Sequence, residues 1–314
     1  MKHLRLFLKM IVSNVCPSLL VKSSSKNTAQ ARYCYSVWMR HLVIAHANGF
    51  TETPNKVAEF GPGKSIGTGL CAMLCGANEY YGLDAVQHAV SDSNLQMLSE
   101  LVDMYKRKER IPDESEFPKM TPTLEDYSFP SNILTDELLL GSLADDRIER
   151  IRRAIISPWT ENTDTPEKIE YIAPWSSDDV NLSGVDLIYS QVVMEHIDDL
   201  ECAYSVMAGI LRDGGYLSHS IDLRAHGAAD KWNEHWAYSE AFWKLLRGRR
   251  PYWINRQPLS VHLELCRKNG FNILEVKKAE TRNDTIERKQ LKHPFKSISE
   301  EDFTTSGAYI LCKL

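Results

Sequence analysis

Residues 56–67, KVAEFGPGKSIG, narrow the possible folds most: a short apolar run stops at a Gly-x-Gly turn and passes straight into a helical pattern. A strand turning this tightly into a helix presents main-chain N–H groups at its end, where ligands are held. Two phosphate-binding templates fit poorly. A P-loop needs a glycine five residues before the Gly63-Lys64 pair, and that position is Ala58. A dinucleotide fingerprint needs its third glycine at 66, which is Ile66, with Gly67 one place late. Glu59 also argues against phosphate, because a carboxylate at such a mouth repels it. A ligand bearing cationic or donor groups fits Glu59 better.

Composition leaves room for a sizeable core. The chain has 314 residues, 43% hydrophobic and 25% charged, as one enlarged globular domain would. A net charge of -5 gives no basic footprint, so nucleic acid is not an expected partner. The 7 cysteines are scattered without a Cys-x-x-Cys, and Cys71 and Cys75 sit one helical turn apart, so they read as reduced core thiols of a cytoplasmic protein.

Along the chain, strands are expected at KVAEF, EYYGLDAV, EYIAPW, VDLIYSQ and YLSHSIDL, with FNILEVKKAE and GAYILCKL as a terminal antiparallel pair. Helical patterns intervene at IGTGLCAMLCG and ECAYSVMAGILRDGG, and AQARYCYSVWMRHLVIAHANG stops at Asn48-Gly49. This alternation implies a mostly parallel sheet covered on both faces, with ligands beyond the carboxyl ends of its strands. The expected division is a helical segment over 1–50 and a catalytic domain over 51–314, with a cap insertion over roughly 92–168 and a substrate-facing segment over roughly 222–260.

VAEFGPGKSIG is similar to the first motif of class I S-adenosylmethionine-dependent methyltransferases, and YYGLDAV to the second. IYSQVVMEHIDDL resembles the segment after the fourth strand of that family, and LRDGGYLSHSID the helix, glycine turn and fifth strand that follow. The resemblance implies a doubly wound, Rossmann-like α/β fold with a mostly parallel seven-stranded sheet. It also implies S-adenosylmethionine as cofactor, left as S-adenosylhomocysteine. Glu59, Phe60, Gly61, Pro62 and Gly63 would line its site, with Asp84 on the ribose hydroxyls and Ala85, Ser190 and Gln191 beside it. Asp84 stands 25 positions after Glu59, and two carboxylate oxygens match two vicinal hydroxyls. Where many members place an adenine-binding Asp, this chain reads APWSSDD. Trp175 then either walls the adenine or belongs to the core, and Asp178 is a candidate for the hydrogen bond.

The C-terminal third suggests the acceptor. Residues 219–260 gather His, Trp and Arg beyond the fifth strand, and aromatic faces with polar rims suit sugars. His219, Trp232, His235, Trp236 and Arg256 are the substrate candidates, with Arg249 and Arg250 as further partners for an anionic group. This loosely resembles sugar- and polysaccharide-modifying members of the superfamily. Methylating a hydroxyl needs a proton acceptor. His226, oriented by Asp222, is the first candidate and His196 the second. Asp222 has only Asp230 and Glu234 as acidic neighbours in sequence, so no divalent metal is expected. Amine or carboxylate acceptors stay open, as does a non-catalytic S-adenosylmethionine-binding protein. A NAD-dependent oxidoreductase is disfavoured by Glu59 and Ile66.

Leu4, Phe7, Leu8, Ile11, Val12 and Val15 repeat with helical spacing, opposite Lys2, Arg5 and Lys9. Such a basic amphipathic helix rests on an anionic (inner) membrane surface, on its own domain or on a second copy of the chain, and the sequence leaves all three open. Lys9 breaks the apolar run, which excludes a membrane span there.

Overall fold

The computed structural model describes residues 10, 12–15, 27–87, 91–156, 165–177, 180–250 and 252–314. Seven strands form one sheet: β1 (Lys56–Phe60), β2 (Glu79–Leu83), β3 (Lys168–Ile172), β4 (Val185–Gln191), β5 (Leu211–Asp222), β6 (Asn272–Glu280) and β7 (Thr305–Lys313). Their order is β3-β2-β1-β4-β5-β7-β6, parallel except for β7, which runs antiparallel to both its neighbours. The order reverses between β1 and β4, and a crevice opens at such a switch point beyond the carboxyl ends of the strands.

Alternate residues of each central strand feed two cores, which explains why these strands read as nearly continuous apolar runs. On one face Val57, Tyr80, Leu187 and Tyr189 pack under α1 (Ala31–Ala47), α2 (Gly67–Leu74) and α3 (Ser91–Lys106). On the other, Ala58, Phe60, Leu83, Ile188 and Leu217 meet α6 (Leu200–Ile210) and α8 (Leu259–Lys268). Further helices among the described residues are α4 (Asp136–Ser142), α5 (Asp145–Ile156), α7 (Glu240–Arg247) and α9 (Glu300–Thr304). Cys71 and Cys75 are buried in the first core, where the Trp38 indole N–H donates to the Cys75 sulfur at 3.1 Å.

Three boundaries differ from the sequence-based expectation. α1 lies in the main core, with Tyr35, Trp38 and Met39 fully buried, so residues 31–47 belong to the same packed unit as the sheet. In the stretch 92–168, Leu98, Leu101, Tyr105, Ile111, Leu139 and Ile151 join that core, so its helices cover a sheet face instead of capping the strand ends. β5 begins at Leu211, five residues early, because Leu211 pairs with Val185 across an irregularity in the β4 ladder.

From that stretch Asn94 Oδ1 accepts from the Ile66 N–H of the glycine turn at 3.2 Å, and Thr121 Oγ1 lies 2.6 Å from Ser220 Oγ of β5; Arg40 ties the segment around Thr121 down. Its buried guanidinium donates to the carbonyls of Pro112 (2.9 Å) and Pro122 (2.6 Å) and pairs with Glu114 at 2.8 Å. Removing one side of a buried charged network strands its partners. Arg40→Met is expected to cost about 3 kcal/mol and lower the thermal midpoint by roughly 5–10 °C, as followed by calorimetry.

The described part of the N-terminal helix rests on its own domain. Ser13 Oγ donates to the Leu246 carbonyl at 3.1 Å and the Asn14 amide to the Leu245 carbonyl at 3.0 Å. Met10 packs with Trp243 and Leu246. Leu4, Phe7, Leu8 and Ile11 of the apolar stripe lie outside the described residues, and Val15 is exposed. Among the described residues no helix is long and apolar enough to cross a membrane.

Candidate active site

The β1 turn closes on its neighbours through backbone geometry. Gly61 and Gly63 have φ of +72° and +77°, a region side chains disfavour. A Cβ on Gly61 would sit 2.5 Å from Val193, so glycine is what lets the β1 and β4 turns meet at the switch point. Asp84 secures the turn from β2. Its Oδ2 accepts from the Gly63 N–H (3.0 Å) and the Tyr171 hydroxyl (3.3 Å), and its Oδ1 from the Ala85 N–H (2.7 Å). A carboxylate has about four lone-pair sites, so it can still accept from a ligand. Pro62 lies against Gly82, and the Trp175 ring meets Phe60 edge-on at 5.1 Å. The Trp175 main-chain N–H also donates to the Asp84 carbonyl at 3.0 Å, so this residue is half core and half crevice wall. Asp178 lies outside the described residues.

Glu59, Ser190 and Gln191, three expected cofactor contacts, have partners within the chain. Glu59 is 3% exposed and points into the helical face, where the hydroxyls of Tyr80 (2.7 Å) and Tyr189 (3.0 Å) donate to its Oε2. Burial pushes this carboxyl up to about 7, the two tyrosine hydrogen bonds opposing it. Glu59 therefore supports the turn from beneath, because residue parity on β1 sends it away from the crevice. Glu59→Ala should first cost stability, about 2–3 kcal/mol in denaturant unfolding, from two orphaned buried hydroxyls. Ser190 is also buried, with its hydroxyl 2.7 Å from His219 Nδ1. Gln191 belongs to a side-chain chain. The Tyr309 hydroxyl meets Ser218 Oγ (2.7 Å), Ser218 meets His41 Nδ1 (2.6 Å), and His41 Nε2 meets Gln191 Oε1 (3.2 Å). The Gln191 amide ends it on the Thr121 carbonyl at 3.0 Å.

The residues named for catalysis do come together. His226 Nε2 lies 3.3 Å from Asp222 Oδ2, and the His196 and His226 rings are 5.1 Å apart, edge to face. Glu195, which the sequence reading passed over, joins them with Oε1 3.9 Å from His226 Nε2 and 3.4 Å from the Asp222 N–H. Its other oxygen is buried without a hydrogen-bond partner among the described residues. Burial pushes the Glu195 carboxyl up to about 8, with the His226 charge opposing. Burial also disfavours imidazolium at His226, but Asp222 and Glu195 outweigh it and raise its pKa. At His196 burial, reinforced by the His226 charge, lowers the pKa to about 4. Asn255 fixes the turn that carries this cluster, donating from its N–H to the Glu195 carbonyl (2.7 Å) and from its side chain to the carbonyls of Met194 (2.8 Å) and Ile197 (2.9 Å).

The expected substrate residues are elsewhere. Trp236 and His235 are 0% and 1% exposed, and Trp232 packs with Trp236, Ile286 and Phe295 in a small core. Arg256 is buried between the rings of Trp243 (4.7 Å) and Phe295 (4.9 Å), pairs with Glu240 and donates to the His235 and Tyr238 carbonyls. Arg250 lies over Trp253 and donates to the Leu246 and Arg247 carbonyls. His219 is fully buried, and burial lowers its pKa to about 3. These buried side chains hold residues 228–250 and 252–256 onto the domain and do not themselves form an exposed aromatic platform. Tyr252 is an exposed aromatic residue beside the cluster: it is 45% exposed, its hydroxyl reaches the Ala85 carbonyl (3.0 Å), and its carbonyl lies 2.9 Å from His196 Nδ1.

No family model matches this chain, and no curated protein does. Among solved structures, it is similar to an S-adenosylmethionine-dependent methyltransferase from Mesorhizobium loti, with 14% identity over 88% of this chain and 98% of that one, at a TM-score of 0.43. Phosphoethanolamine N-methyltransferase 2 from Haemonchus contortus shares 16% identity over 93% of this chain and 58% of that one, at 0.42. Magnesium protoporphyrin IX methyltransferase from Synechocystis shares 12% over 91% and 83%, at 0.40. Likeness at this level carries no functional inference, which rests instead on the side chains of the crevice.

Proposed function

We propose that this chain transfers a methyl group from S-adenosylmethionine to a hydroxyl oxygen of a small molecule, with a sugar or glycan hydroxyl as the acceptor to test first. The observation that carries this reading is the His226–Asp222 contact of 3.3 Å at the carboxyl end of β5, in the crevice whose other wall is the glycine turn and Asp84. Asp84 keeps acceptor capacity for ribose hydroxyls, and its charge beside the N–H-lined turn repels a phosphate. In the transfer the acceptor oxygen attacks the sulfonium methyl. An O–CH3 bond forms as the S–CH3 bond breaks, and the acceptor's proton passes to the His226 imidazole, held by Asp222. Tyr252 offers the exposed aromatic face on which an acceptor ring would lie.

The test is transfer of labelled methyl from S-adenosylmethionine into a panel of sugars, other alcohols, amines and carboxylic acids. Ether formation on an alcohol supports the reading. Label appearing only on nitrogen or carboxylate would replace the acceptor class, and no transfer to anything from a protein that binds the cofactor would make it a binding protein.

A further inference from the structure

We propose that Glu195, His196 and His226, with Asp222 as fourth donor, bind one divalent transition-metal ion beside the acceptor. The inference rests on placing the acceptor at this cluster and departs from the metal-free expectation, which weighed only neighbours along the sequence. Glu195 is 27 residues from Asp222 in sequence, yet it accepts from the Asp222 N–H.

Three observations point to an ion. Ligand atoms of Glu195, His196 and His226 all lie within 4.8 Å of one another. Bonds of about 2.0–2.2 Å put neighbouring donors roughly 3–4 Å apart, so small side-chain movements close the set. Asp222 Oδ2, 3.3 Å from His226 Nε2, already stands at that separation. Second, one Glu195 oxygen is buried with no partner among the described residues, a costly state for an acceptor and one that a cation relieves. Third, the His196 tautomer is set for ligation. The Tyr252 carbonyl only accepts, so Nδ1 must carry the proton, and the Nε2 lone pair is free for a metal.

Two imidazoles with two carboxylates suit zinc, manganese, iron or cobalt, and suit magnesium or calcium poorly. An ion held there would take His226 as a ligand in place of its role as proton acceptor. The ion would supply Lewis acidity, lowering the pKa of a hydroxyl bound to it. In the ion-free chain His226 receives the acceptor's proton directly.

The experiment uses the full chain, stripped with a chelator and titrated with Co2+ or Zn2+ by calorimetry, with the visible spectrum of the Co2+ form as a second readout. Expected are one ion per chain, d–d bands of a mixed nitrogen and oxygen site, and affinity at least ~10-fold weaker in Glu195→Gln and in His226→Gln. S-adenosylmethionine affinity in both variants checks that they are folded. No stoichiometric ion in the wild-type chain, or unchanged affinity in both variants, overturns the site. Methyl transfer by a chain that binds no ion would remove the metal and leave the proposed function standing. Ion binding in a chain that transfers no methyl group would do the reverse.

Discussion

His226→Ala lowers the turnover of methyl transfer by ~10²-fold or more and leaves S-adenosylmethionine affinity nearly unchanged, the usual size of a lost proton acceptor. The reason is local. His226 touches Asp222 at 3.3 Å and approaches Glu195 at 3.9 Å, whereas the glycine turn is secured by Asp84 and owes His226 nothing. Asp222→Asn should cost a similar factor, because the amide would keep the shape of the side chain and lose the charge that holds the imidazole. The two residues act as a unit, so the double variant should be scarcely worse than either single one. Single-turnover kinetics on folded protein read this directly. Near-wild-type turnover in His226→Ala removes the residue from the mechanism and makes His196 the next to test.

Asp84→Ala weakens S-adenosylmethionine binding by ~10²-fold. This carboxylate holds the Gly63 and Ala85 N–H groups and is the acceptor left for the ribose, and two charge-assisted hydrogen bonds at about 1.5 kcal/mol each give that factor. Asp84→Asn keeps an oxygen for the turn and should lose about 10-fold. Equal affinity in wild type and Asp84→Ala, measured by calorimetry on variants of matched thermal midpoint, contradicts the assignment.

The sheet was legible because buried parallel strands leave continuous apolar runs, and the Gly61–Gly63 turn because only glycine takes its conformation readily. The Asp222–His226 contact was also legible, since four residues past a strand end bring the chain back on itself. The aromatic segment was not. Trp, His and Arg read as a polar surface until residues 286–303 cover them, and Arg256 depends on Phe295, far along the chain. The burial of Glu59 was not legible, because its partners, the Tyr80 and Tyr189 hydroxyls, come from β2 and β4 and are absent from the β1 stretch itself. Glu195 stands beside His196 in the sequence, yet its value comes from Asp222 and His226 on another strand's turn, a pairing that β4–β5 register alone creates.

Isothermal titration of the wild-type chain with S-adenosylmethionine, S-adenosylhomocysteine and NADH tests most directly whether the crevice between the β1 and β4 turns holds S-adenosylmethionine. One-to-one binding of the first two, absent for NADH and weakened in Asp84→Ala, is the predicted result; saturable NADH binding with no heat from either adenosyl compound would contradict it.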